Sequence, residues 1–139
     1  MTVYVIQEAL GRNILPAREF GELEVLLPSN ANIVLSPGPT VRRLNKALGK
    51  FSKEDYLLLM GDPAAIGIAC AVAAKANNGV FNLLKWDKFT SQYFPINVDL
   101  NNTREAFELI DAPEYSTEPS IPVRVKRSKK GESNVDNGS

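Results

Sequence analysis

YLLLMGDPAAIGIACAVAAKANNG, residues 56–79, is the stretch whose reading decides the fold. Tyr56 to Met60 is an uninterrupted apolar run without polar alternate positions, the pattern of a strand in the centre of a sheet that is covered on both faces. Gly61-Asp62-Pro63 interrupts the run, and small apolar residues then resume. Asp62 suits a helix N-cap, Pro63 the first turn and Asn78-Gly79 the stop, so a helix from 63 to about 77 is delimited at both ends. A buried strand that leads straight into a buried helix places the chain among α/β folds.

Towards the N-terminus, Val3-Tyr4-Val5-Ile6 reads as a strand closed by the Gly11-Arg12-Asn13 loop. Leu23 to Leu27 is a second strand, ended by Pro28-Ser29-Asn30, and Ile33-Val34-Leu35 is a short third; their spacing predicts an antiparallel, β-rich opening. Ser36-Pro37-Gly38-Pro39-Thr40 stops that sheet. Val41, Leu44, Leu48 and Phe51 then recur on one face of an amphipathic helix, and Ser52-Lys53-Glu54-Asp55 is a polar turn.

Towards the C-terminus, Val80 to Trp86 and Tyr93 to Leu100 read as a hairpin joined by Asp87 to Gln92, with Trp86 and Tyr93 near its open end. Asn102, with Glu105 three positions on, suits the start of a short helix through Ile110. From Asp111 the composition shifts to Pro, Ser, Glu, Lys and Asn without apolar period, the signature of a disordered tail. The expectation is a single mixed α/β (α+β) domain over 1–110, with a five- to six-stranded mixed sheet, two main helices and a disordered tail over 111–139.

Composition narrows the chemistry. Of 139 residues, sixteen are basic and sixteen acidic, so no whole-molecule field draws the protein to DNA or membrane, and any polyanion contact needs a local patch. There is no histidine and one cysteine, Cys70, which removes histidine general-base catalysis, Ser-His-Asp and Cys-His sites, and His/Cys zinc sites. No catalytic residue, metal site or cofactor motif is read, and the expectation is that the protein is not an enzyme. A lone cysteine forbids an intrachain disulfide and fits a reducing, cytoplasmic setting. MTVYVIQEAL lacks a basic n-region and a long apolar h-region, so no signal peptide is expected, and no segment reads as a membrane span.

Four features are candidates for function. At Gly61 and Asp62, helix amides and the positive end of the dipole favour anions, but Asp62 itself occupies the anion position, so a structural cap is the preferred reading over a small-ligand or nucleotide site. The segment also lacks the P-loop lysine and hydroxyl and the three glycines of a dinucleotide fingerprint. Arg42, Arg43, Lys46, Lys50 and Lys53 cluster on the side of the first helix away from its apolar stripe, where they suit nucleic acid or an acidic protein, or form an ordinary solvated face. Arg124 to Lys130 is a basic arm in the tail. Trp86, Tyr93 and Phe94 with Lys85 and Lys88 form an aromatic-basic group, suited to base stacking, to hairpin register, or, at Trp86, to an interface anchor. Gly67 and Ala71 mark a helix pressed against a sheet or a partner subunit, and Cys70 among its alanines reads as an inert packed thiol.

The blocks Tyr56 to Ala69 (YLLLMGDPAAIGIA) and Leu84 to Leu100 (LKWD through YFPINVDL), with the opening strand region, resemble short uncharacterised proteins of tailed bacteriophages, marine and cyanobacterial ones in particular. The resemblance spans most of residues 1–100, carries no activity to transfer, and implies a virus-encoded protein in the cytoplasm of an infected host. The leading functional expectation is a small phage-encoded binding or regulatory protein that contacts a host or phage protein, with a second copy of the chain as a further partner and no membrane. The alternatives are a nucleic-acid-binding accessory protein using helix 41–53 and tail 124–130, and a ligand-binding module at Gly61-Asp62-Pro63, with carboxylates such as Asp62 and Asp87 available for hydrolytic chemistry.

Overall fold

In the computed structural model the chain runs β1 (Thr2–Gln7), a 3-10 segment (Leu15–Phe20), β2 (Glu22–Leu27), α1 (Pro37–Leu48), β3 (Tyr56–Leu58), α2 (Pro63–Ala76), β4 (Val80–Asp87) and β5 (Gln92–Asp99). The structure describes residues 1–101; the expected helix from Asn102 to Ile110, the tail 111–139 and its basic arm lie outside the described residues. The strands form one five-stranded mixed sheet in the order β2-β1-β3-β4-β5, as expected for the class.

The opening is parallel, not antiparallel: β1 pairs with β2 on one side and with β3 on the other, both in parallel. Residues 8–21 are long enough to cross back over the sheet, whereas a tight turn would have made a hairpin. Pro16 and the short 3-10 geometry of this crossover hide it from any search for helical periodicity. Ile33-Val34-Leu35 is not a strand. The Asn32 side chain accepts from the amides of Val34 and Leu35, and Ser36 N–H donates to the Asn32 carbonyl, so local bonds outcompete β propensity there.

The pleat separates two cores. Tyr4, Ile6, Leu57 and Phe81 point to the face covered by α1 and α2, while Val3, Val5, Leu58 and Leu84 point to the face covered by the 3-10 segment. Leu57 and Leu58 are both sealed from solvent, which is why Tyr56 to Met60 reads as apolar without alternation. Each such aliphatic side chain contributes about 1.5–3 kcal/mol relative to exposure.

Helix α1 begins at Pro37, so the segment expected to stop the sheet is already its first turn. Prolines are tolerated there because the first-turn amides have no intrahelical partner. It ends at Leu48 and buries Thr40, Leu44 and Leu48. Helix α2 starts and stops where its cap signals predict, packs beside α1 and buries Ala65, Ala69 and Ala73. Gly67 and Ala71 therefore lie on its exposed side, and a Cβ added at Gly67 meets nothing within 4 Å, so this pair does not mark the tight contact against the sheet.

The hairpin is present, with the direct pair Trp86↔Tyr93 one step from the turn, at its closed rather than its open end. Asp87 organises that turn: its carboxylate accepts from Thr90 N–H (3.0 Å) and Thr90 Oγ1 (2.7 Å), and Ser91, at φ 56, donates to the Asp87 carbonyl. Pro95 is accommodated because β5 is an edge strand.

Candidate functional site

The strand order reverses at β1. From β1 the chain crosses to β2 over one face, and from β3 it crosses to β4 through α2 on the other, so the two connections diverge at the carboxyl ends of neighbouring parallel strands. In open α/β sheets that divergence leaves the crevice in which ligands are held. Here the crevice has two compartments that share Ala9 and Gly61. One, of about 570 Å³, lies among Glu8, Ser29, Asn30 and Asp62; the other, of about 310 Å³, lies among Arg12, Met60, Ile66, Trp86 and Tyr93.

Gln7 holds the first compartment together. Its side chain, buried at the end of β1, donates from Nε2 to the carbonyls of Pro28 (3.2 Å) and Ala31 (3.1 Å) and accepts at Oε1 from Asp62 N–H (2.7 Å). One residue thus joins the exits of β1, β2 and β3. Gly61 permits this approach: it sits at φ +114, and a Cβ there would collide with the Gln7 Cβ and lie 2.8 Å from its Oε1.

Asp62 is a helix cap, since its Oδ1 accepts from Ala64 N–H at 2.7 Å while its own carbonyl accepts from Ile66 N–H. The carboxylate faces its own helix amides, as the preferred reading of the sequence had it, and it also borders the crevice. Asp87 is engaged in the hairpin turn and does not join Asp62 at the crevice. The Thr90 hydroxyl hydrogen bond holds the Asp87 carboxyl below the ordinary aspartate range.

In the second compartment, Trp86 and Tyr93 pack edge to face, with centroids 4.8 Å apart and planes at 65°. Tyr93 is buried, and its hydroxyl makes a long contact, 3.5 Å, to the Asn13 carbonyl. Burial pushes the Tyr93 phenol up, partly opposed by the nearby Arg12 charge. Half-buried Trp86 is a wall of the crevice as well as a register pin. Arg12 stands exposed at the mouth on a tight turn, closed by Arg12 N–H donating to the Ala9 carbonyl and requiring positive φ at Gly11. Gly11, Arg12 and Asn13 extend the compartment by a further niche of about 140 Å³ against the two aromatics.

The structure therefore brings Gly61, Asp62, Trp86 and Tyr93 to one crevice. Arg42, Arg43 and Lys46 lie elsewhere, exposed on α1, with Lys50 exposed just after its end, and Arg43 borders a cavity of about 410 Å³ at the helix start. Gln7, Ala9, Arg12, Ser29 and Asn30 were not among the residues singled out from sequence. Their signal is positional: each lies at or just after a strand end, and it becomes legible only once β1, β2 and β3 are known to be parallel. Cys70 is half-buried, and burial raises its thiol pKa, in keeping with a packed thiol. Among the described residues no cluster of three metal-binding side chains occurs, and no helix is long and apolar enough to cross a membrane.

Compared with known proteins, residues 1–100 match the family model described as Phage Pam3 gp32-like protein. No curated protein and no solved structure matches the chain.

Proposed function

Because the chain belongs to the Phage Pam3 gp32-like protein family, we propose that it is a phage-encoded protein that acts by binding rather than catalysis, with its site in the crevice at the carboxyl ends of β1 and β3. The observation that carries this reading is the coincidence of the strand-order reversal with a crevice braced by Gln7 against Gly61 and Asp62. Its two compartments fall within or at the lower edge of the range of small-molecule sites, about 300–1,000 Å³. The lining is mixed, with aliphatic and aromatic walls and a few polar groups that suit orientation of a small ligand.

The test is a thermal-shift survey of the full chain with nucleotides, sugar phosphates, amino acids and divalent metals, repeated on Ser29→Tyr, which adds bulk at an exposed position of the crevice wall. A ligand at one hundred times its Kd stabilises by about 2.7 kcal/mol, which for a chain of this size raises Tm by roughly 10 °C. The expected result is a saturable shift with at least one compound, lost in Ser29→Tyr while unliganded Tm and circular dichroism stay unchanged. No shift across the panel, or shifts indifferent to Ser29→Tyr, would refute the reading.

Contact with a host or phage protein is the second reading. It is favoured by Phe94 and Ile96, large apolar side chains left about two-fifths exposed on the α2 side of edge strand β5 (45% and 40%). Phe94→Ser/Ile96→Ser should leave the fold intact and abolish co-purification of a stoichiometric protein partner from infected cells.

A further inference from the structure

The two compartments of the crevice differ in charge and in shape. The first is bordered by the carboxylates of Glu8 and Asp62 with the polar side chains of Ser29 and Asn30. The second has an aliphatic floor of Leu58, Met60 and Ile66, an aromatic wall of Trp86 and Tyr93, and one cation, Arg12, at its mouth. A flat apolar ring fits the floor and stacks on the indole, since base-aromatic contact is tolerant of ring identity. A guanidinium on the rim pairs with a phosphate or carboxylate through two parallel hydrogen bonds. Carboxylates one compartment away are acceptors without donors, suited to the hydroxyls of a sugar.

Resting on the crevice reading above, we infer that this site binds a nucleoside monophosphate: the base against Trp86 over Leu58, Met60 and Ile66, the phosphate on Arg12, and the ribose hydroxyls towards Glu8 and Asp62. The aromatic wall and the cation together discriminate against inorganic phosphate, which lacks the ring, and against free nucleosides, which lack the anion.

Trp86 is the single tryptophan in the chain and reports directly on occupancy. The full chain is titrated with AMP, GMP, CMP and UMP, with adenosine and with inorganic phosphate, following Trp86 fluorescence and Tm together. At least one monophosphate should give a saturable fluorescence change and a Tm rise, with adenosine weaker and phosphate alone inert. Arg12→Ala should weaken the monophosphate about tenfold or more, the loss expected of a charge-assisted hydrogen bond, and leave adenosine unchanged. Arg12→Lys should recover part of it. Because Arg12 is exposed, these variants keep the unliganded Tm, which serves as the control. Monophosphate binding that is equal in Arg12→Ala, or a crevice that takes only non-aromatic or uncharged compounds blocked by Ser29→Tyr, overturns this assignment while leaving the crevice reading in place. Absence of any crevice-dependent binding overturns both.

Discussion

Gln7→Glu replaces one side-chain NH2 by oxygen at nearly constant shape, and so tests the bracing of the crevice without opening a cavity. The two donations from Nε2 to the carbonyls of Pro28 and Ala31 are lost, while the acceptor for Asp62 N–H remains. The Pro28 carbonyl keeps its bond from Ala31 N–H, but the partly buried Ala31 carbonyl loses its side-chain donor, at a cost of about 1–1.5 kcal/mol, and a carboxylate at a site only 6% exposed adds desolvation and repulsion from both carbonyls. The sum is about 2–4 kcal/mol at pH 7, a sizeable part of the 5–15 kcal/mol typical of a domain, and lowers Tm by roughly 10 °C or more. Burial beside carbonyl oxygens raises the folded-state pKa of the introduced carboxyl above its unfolded value of about 4.3. A raised folded pKa means that the stability linked to the proton is fully present below about pH 4.3 and is lost as pH climbs through the folded value. The deficit relative to the parent should therefore shrink at pH 4, where a protonated carboxyl donates one hydrogen bond. Urea unfolding followed by circular dichroism and Trp86 fluorescence at pH 4 and 7 measures both quantities, with Glu8→Gln on the exposed neighbour as control. A deficit below about 1 kcal/mol at pH 7, or one independent of pH, would refute the bracing role.

Four further outcomes follow from the same geometry. Gly61→Ala combines a Cβ collision with Gln7 and a strained positive φ, and should cost about 3 kcal/mol or more by urea unfolding. Gly67→Ala, exposed in α2 with open space at the Cβ, should stabilise by up to about 1 kcal/mol, and a loss of stability would show that the position packs against something. Asp62→Ala removes the cap to Ala64 and should cost about 1 kcal/mol without unfolding the chain, measured by Tm. Arg42→Glu/Arg43→Glu reverses two of the five cations that residues 37–53 carry without any acid; if α1 meets nucleic acid, RNA or DNA binding by the parent falls steeply with salt and disappears in the variant, and salt-insensitive binding excludes that role.

Residues 56–79 were legible because several local rules agree there: an apolar run that needs cover on both faces, a capping aspartate, a first-turn proline and an Asn-Gly stop. The β4–β5 hairpin was legible for the same reason, its strands flanking a polar turn. The β1–β2 connection was not, since pairing direction depends on where a 14-residue crossover places its end and not on the propensities of the strands it joins. Val34 and Leu35 show the converse failure: β-branched and aliphatic residues lost their strand to the Asn32 side chain and stand exposed at 81% and 78%.

The site divides along the same line. Gly61, Asp62, Trp86 and Tyr93 could be singled out from local pattern, and the placement of Asp62 as a cap follows from its position before the first-turn Pro63. Their convergence with Gln7 and Arg12 could not, because it is produced by strand order. Helix capping at Asp62 and hydrophobic period operate over a few residues and were determined by the sequence as read. Which strand ends share a crevice depends on contacts across 55 residues, as between Gln7 and Asp62, and was decided only when the parallel sheet closed around them.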